Sequence, residues 1–151
     1  MRRKNNEKHL AATISGSSDV MSAEQRSKCM SRIRSKNTTP EIIVRRIAHR
    51  LGYRFVLHKR DLPGTPDLVF PRHKKVIFVN GCFWHRHSCK AGRPKPRQNA
   101  AFWDQKLKGN VKRDRISLRE LKKRGWKVLN VWECQTENAG NLSLRLKTFL
   151  S

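Results

Sequence analysis

The chain has 151 residues, in which 35 lysines and arginines outnumber 11 acids to give a formal charge of +24. That length suits one domain with an adequate core, and basic residues in nearly every segment call for a polyanion partner, nucleic acid ahead of a membrane surface. No run of about 18 apolar residues is available to span a bilayer, and Ala11-Ala-Thr-Ile14 is too short for a signal-peptide core of about 7–15 residues.

A cytoplasmic, reducing setting is the expectation. There, four cysteines serve as metal ligands or bystanders before they form disulfides. Residues 1–20 are polar and without period and read as a disordered basic tail, leaving 21–151 as a single domain. Ser22 followed by Gln25 has capping-box spacing and predicts a helix from Ala23 to about Arg34, with Cys29 a half-buried bystander. A second helix starts more firmly. Thr39 caps it, Pro40 fits its first turn, and Gly52 falls just past its end. Ile43, Ile47 and Leu51 make its apolar stripe, and Glu41 lies where the helix dipole by itself favours a carboxylate.

Tyr53–Leu57, Asp67–Phe70 and Lys75–Val79 read as three strands, the last two joined through a turn at Pro71-Arg-His-Lys74. Asp67 opens an apolar strand behind Pro66, where turn chemistry or a bound cation would each explain a carboxylate that is costly to bury alone. The Pro-interrupted loop Lys90–Arg97 carries cations. A helix is expected from Ala100 to Lys108, and another capped by Asn110 and ended by Gly125. Trp126–Trp132 reads as the fourth strand, and Leu142–Leu150, after Asn141, as a closing helix. This order favours helices packed around a mixed sheet.

The chemistry concentrates between Val76 and Cys89. Cys82, His87 and Cys89 are spaced C-x4-H-x-C, and Cys134 follows 45 residues later at a strand end. Three sulfurs and one nitrogen form a closed structural zinc set; the alternative is buried thiols and exposed imidazoles. His85 either substitutes as a ligand or stays free to move a proton. Phe83, Trp84 and Trp103, set in basic surroundings, suit stacking on bases or wedging between them, as well as plain core packing. Asp67, with Glu41 in reach, could hold magnesium against a phosphate.

Pro63-Gly-Thr-Pro-Asp-Leu-Val69, the whole of Val76–Cys89, Phe102-Trp103, Asn110-Val-Lys-Arg-Asp114 and Gly125–Cys134 occur in unbroken order. Together they resemble the very-short-patch repair (VSP) DNA mismatch endonucleases, over roughly residues 21–138. The resemblance implies an α/β, restriction-endonuclease-like fold with a mixed central sheet flanked by helices and a structural zinc site. It implies a magnesium-dependent nick in double-stranded DNA, 5′ to the thymine of a T:G mismatch left by deaminated 5-methylcytosine.

By motif, Asp67 matches the metal-binding aspartate, His85 the catalytic histidine, and Glu41 the supporting acid. Val79 would lend a backbone carbonyl to magnesium. Cys82, His87, Cys89 and Cys134 match the zinc ligands, and Phe83, Trp84 and Trp103 the DNA wedge. The resemblance further implies a cytoplasmic, nucleoid-associated monomer with repair-protein partners. The chain departs at Asn80, where some members carry a second histidine, and it lacks a Glu-x-Lys on the third strand. Two other classes fit the residues: a restriction-type nuclease on an intact site, and a non-catalytic, zinc-stabilised nucleic-acid-binding module.

Overall fold

The computed structural model describes Ser22, Glu24, Gln25 and residues 36–151. Expectations for the tail, for Cys29 and for most of the first helix lie outside the described residues. The capping box itself is present: Ser22 N–H donates to Gln25 Oε1 at 2.9 Å, and Gln25 N–H donates to Ser22 Oγ at 3.2 Å.

The described elements run α1 (Thr39–Arg50), β1 (Val56–Leu57), β2 (Leu68–Phe70), β3 (Lys75–Asn80), α2 (Ala100–Lys123), β4 (Lys127–Trp132) and α3 (Ala139–Leu150). They form one mixed four-stranded sheet in the order β1-β2-β3-β4. The β1/β2 and β2/β3 pairs are antiparallel, while β3 and β4 are parallel with α2 as the crossover between them. Strand alternation separates the two faces. Leu68, Phe70, Ile77 and Val131 pack with Val44, Ile47, Leu142, Leu146 and Leu150 of α1 and α3. Val69 and Val76 face the other way and pack with Leu62 and with Leu121 of α2. The result is a three-layer α/β arrangement with helices on both faces.

Several boundaries differ from expectation, each for a local reason. Thr38 rather than Thr39 caps α1, its side chain accepting from Glu41 N–H. The first strand shortens to two paired residues. Tyr53 and Phe55 still pack edge-on against Phe70, at 6.3 and 5.7 Å between ring centroids, but outside the ladder. The turn after β2 is a 3-10 segment, Pro71–His73, closed by Lys74 at φ 52°.

The expected break at Gly109-Asn110 does not occur, and α2 runs unbroken for 24 residues. Asn110 spends its amide on Trp84 C=O at 2.9 Å instead of capping a new helix. Burial of Trp103, Leu107 and Leu121 along one side outweighs the roughly 1 kcal/mol a mid-helix glycine costs. The last helix starts at Ala139, with Asn138 as its cap accepting from Asn141 N–H. Among the described residues no helix is long and apolar enough to cross a membrane.

Candidate active site and metal centres

β3 delivers the chain to a tight turn. Backbone bonds from His85 N–H to Gly81 C=O (3.2 Å) and from His87 N–H to Cys82 C=O (3.0 Å) coil it, and Arg86 takes φ 55°. A Cβ on Gly92 would lie 2.0 Å from the His87 carbonyl oxygen, so only glycine lets the two backbones close the loop.

That closure gathers Cys82, His87, Cys89 and Cys134, whose ligand atoms all lie within 4.8 Å of one another. Cys134 N–H donates to Cys82 Sγ at 3.4 Å, and Cys134 Sγ sits 3.6 Å from His87 Nδ1. The His87 ring is stacked on Trp132, 4.3 Å between centroids and 17° from parallel. All three cysteines are free thiols. Burial pushes Cys82 up to about 12 and raises Cys134. For Cys89 burial opposes ionisation, but hydrogen bonds from His87 and from the Gly92 and Ala91 amides outweigh it and bring the thiol down to about 7. Thiols this close, two of them reluctant to ionise unaided, are what a thiophilic cation would relieve. The Cys3His donor set fits zinc.

The second cluster forms where β1 and β2 end. One step beyond the Leu57↔Leu68 pair, His58 N–H donates to Asp67 C=O at 3.3 Å. The ladder thus brings His58 beside Asp67, and α1 adds Glu41 to make a three-residue group within 4.8 Å. Glu41 is 2 % exposed. Its carboxylate accepts from Asn37 N–H (3.0 Å), Thr38 Oγ1 (3.2 Å) and Arg45 Nη2 (2.9 Å). The dipole account of an acid in the first turn is therefore incomplete, because this side chain is the hub of a buried network.

Asp67 Oδ2 accepts from Val79 N–H at 2.7 Å. Burial raises the Asp67 carboxyl to about 7, against the pull of the Val79 hydrogen bond, with Glu41 adding to the rise and Arg45 and His85 opposing it. A carboxylate short of compensating charge in this way fits a divalent cation. Burial also lowers His58, and Arg45 and Lys36 act in the same direction against Glu41.

His85 belongs to neither group of potential ligands, although its charge is felt at Asp67. Its Nδ1 stands 2.5 Å from Asp114 Oδ2 on α2, with about a quarter of the side chain exposed. An imidazole oriented by a carboxylate through one nitrogen presents the other to a reacting group. Next to this pair the aromatics form their own cluster, in which Phe83 and Trp103 are each 4 % exposed and pack with Leu107. Trp84 is half-buried at the edge and Phe102 is 55 % exposed. Lys106 Nζ lies 5.7–5.9 Å from the Trp84, Phe102 and Trp103 rings. Of the two roles the sequence left open for these rings, core packing holds for Phe83 and Trp103, because α2 supplies a satellite core separate from the main one.

The structure thus brings Asp67, Glu41 and the Val79 backbone together, joins the four sulfur and nitrogen ligands, and pairs His85 with Asp114 rather than with either set. Sequence reasoning missed Arg45, His58 and Asp114. Asp114 had a visible signal, an acid alone among Lys112, Arg113 and Arg115. His58 could have been found only from the β1/β2 register.

A carboxylate group fit for a cation, an imidazole–carboxylate pair and an edge-packed aromatic cluster on a strongly cationic chain suit a hydrolase that acts on DNA. Residues 18–91 match the family of DNA mismatch endonuclease Vsr. The chain is 46 % identical over 132 residues to the type II nicking enzyme V.XorIIP of Xanthomonas oryzae pv. oryzae, covering 87 % of this chain and 96 % of that one. It is 40 % identical over 120 residues to the type II nicking enzyme V.NmeAIP of Neisseria meningitidis, covering 80 % and 85 %. Against DNA mismatch endonuclease Vsr of Escherichia coli it is 39 % identical over 116 residues, covering 77 % and 74 %. The chain belongs to the Vsr mismatch endonuclease family and is a DNA endonuclease.

Proposed function

We propose that this endonuclease nicks one strand of duplex DNA 5′ to the thymine of a T:G mismatch, in very-short-patch repair of deaminated 5-methylcytosine. The observation that carries the reading is the His85 imidazole oriented by Asp114, within electrostatic reach of the buried Asp67 carboxyl. Asp67 and the Val79 carbonyl would hold magnesium, which supplies charge to polarise the scissile phosphate. Asp114 fixes the His85 ring so that Nε2 faces the attacking water and takes its proton. Glu41 and Arg45 keep the Asp67 surroundings in place. Lys75, the lysine on β3, donates to the Ser151 carbonyl at 3.1 Å, which leaves the base role to His85 in a restriction-endonuclease-like core.

Phe83, Trp84 and Trp103 form a rigid aromatic block whose exposed rim meets the weakly stacked wobble pair. Stacking a base on such a surface is worth about 1–3 kcal/mol. Cys82, His87, Cys89 and Cys134 would hold zinc, which would clip the turn carrying these rings to the segment after β4. The protein works as a cytoplasmic monomer, its loop and helix cations neutralising phosphates. The test is cleavage of one end-labelled duplex in T:G and T:A versions. A single nick in the T:G duplex alone, lost in Asp67→Ala with mismatch binding retained, is expected. Equal cutting of the T:A duplex, or nicking by Asp67→Ala, refutes the reading.

A further inference from the structure

We propose that His58 is a positioning residue of the nuclease site, its Nδ1–H turned toward the second Asp67 oxygen in a tautomer selected by Arg45. The inference rests on the reading of Asp67 as the cation ligand and asks what holds that carboxylate in place.

The Arg45 guanidinium is fully charged and can only donate. Its Nη2 contacts both Glu41 Oε2 at 2.9 Å and His58 Nε2 at 3.0 Å, and its Nη1 donates to Asn37 Oδ1 at 2.8 Å. A donor at 3.0 Å requires His58 Nε2 to be the acceptor, so the proton of the neutral ring is on Nδ1. Nδ1 is the atom that faces Asp67 Oδ1, at 3.7 Å, a dipole-to-carboxylate contact longer than a hydrogen bond. The other carboxylate oxygen is already held by Val79 N–H. The same assignment argues against His58 as a metal ligand, because a protonated Nδ1 has no lone pair to give.

The backbone is committed to this arrangement. His58 sits at φ 46°, in the left-handed region that His, Asn and Asp tolerate better than other non-glycine residues, and strain of this kind collects at functional sites. Arg45 leaves its buried Nε without a partner among the described residues while both Nη atoms are engaged. Its guanidinium is aimed at Glu41 and His58 at the expense of its own satisfaction. Buried Glu41 therefore orients Arg45, Arg45 selects the His58 tautomer, and His58 turns Asp67 toward its cation.

The test uses the full chain with its zinc retained and manganese alone as the probe, with free Mn2+ read by electron paramagnetic resonance. Asp67→Asn should remove the binding event. His58→Phe, which keeps the ring shape without nitrogens, should weaken Mn2+ binding about tenfold, the scale expected when a polar contact that orients a charged ligand is removed. His58→Asn places an amide donor where Nδ1 stood and should stay within about threefold of the parent, whereas His58→Gln places its polar atoms nearer Nε2 and should resemble His58→Phe.

Unchanged affinity in His58→Phe, with binding lost in Asp67→Asn, overturns the role of His58 and leaves the nuclease reading standing. Retained Mn2+ binding in Asp67→Asn overturns the assignment of Asp67 itself and the inference with it. If His58→Phe fails to fold, the Asn and Gln variants decide: tighter binding by Asn supports the proposal, and equal binding refutes it.

Discussion

Replacing Asp67 with asparagine should stabilise the protein in magnesium-free buffer, and increasingly so as pH rises. The carboxyl titrates at about 7 in the fold, against an ordinary value of 3.8, because burial opposes its charge. Below pH 3.8 both folded and unfolded chains are protonated at this position and the residue is neutral in the balance. Between 3.8 and about 7 the unfolded chain ionises while the fold holds its proton, so stability falls as pH rises. Above 7 the full penalty applies, roughly 4 kcal/mol at 1.36 kcal/mol per pH unit. Asparagine keeps an oxygen for Val79 N–H and carries no charge to desolvate.

Urea unfolding of parent and Asp67→Asn, with one equivalent of zinc and no magnesium, should show the two converging near pH 4. By pH 8 they should separate by about 2–4 kcal/mol, since partial relaxation trims the upper figure. Adding magnesium should narrow the gap by stabilising the parent alone. A difference that does not change with pH, or an asparagine variant less stable at pH 8, refutes the claim that Asp67 is a desolvated carboxylate awaiting a cation.

Other perturbations separate chemistry from scaffold. His85→Ala should lower the nicking rate about 100-fold or more, the usual scale for a lost general base. Asp114→Asn should lower it about tenfold, and both should bind a T:G duplex as the parent does in a gel-shift assay. Gly92→Ala must displace the His87 backbone, given the 2.0 Å approach, and should lower zinc content measured by elemental analysis and the melting temperature with it. Trp103→Ala opens a cavity in the aromatic cluster and should cost about 3–5 kcal/mol in chemical denaturation. Phe102→Ala, at an exposed position, should cost less than about 1 kcal/mol.

Zinc-like spacing was readable because Cys82, His87 and Cys89 are close in sequence, and Cys134 stands at the end of a recognisable strand. The strands of the sheet were readable from alternation and β-branched runs, which depend on nearest neighbours. Helix ends were harder. Thr38 and Asn138 were passed over for neighbouring residues of the same capping chemistry. At Asn110 a tertiary contact with Trp84 overrode a local stop signal.

The sequence by itself determined the charge that draws the chain to DNA, the order of the strands, and several of the side chains that could bind metals or move protons. Only the tertiary structure decided which of these meet. His58 reaches Asp67 because β1 and β2 pair in one register, and a slip of one residue would turn it to the other face. Asp114 reaches His85 across 29 residues because α2 stays helical through Gly109. Phe83 and Trp103 are buried rather than displayed because that same helix packs over the turn. Local pattern encodes elements, while partnerships between distant side chains depend on register and packing, which appear only when the whole chain closes.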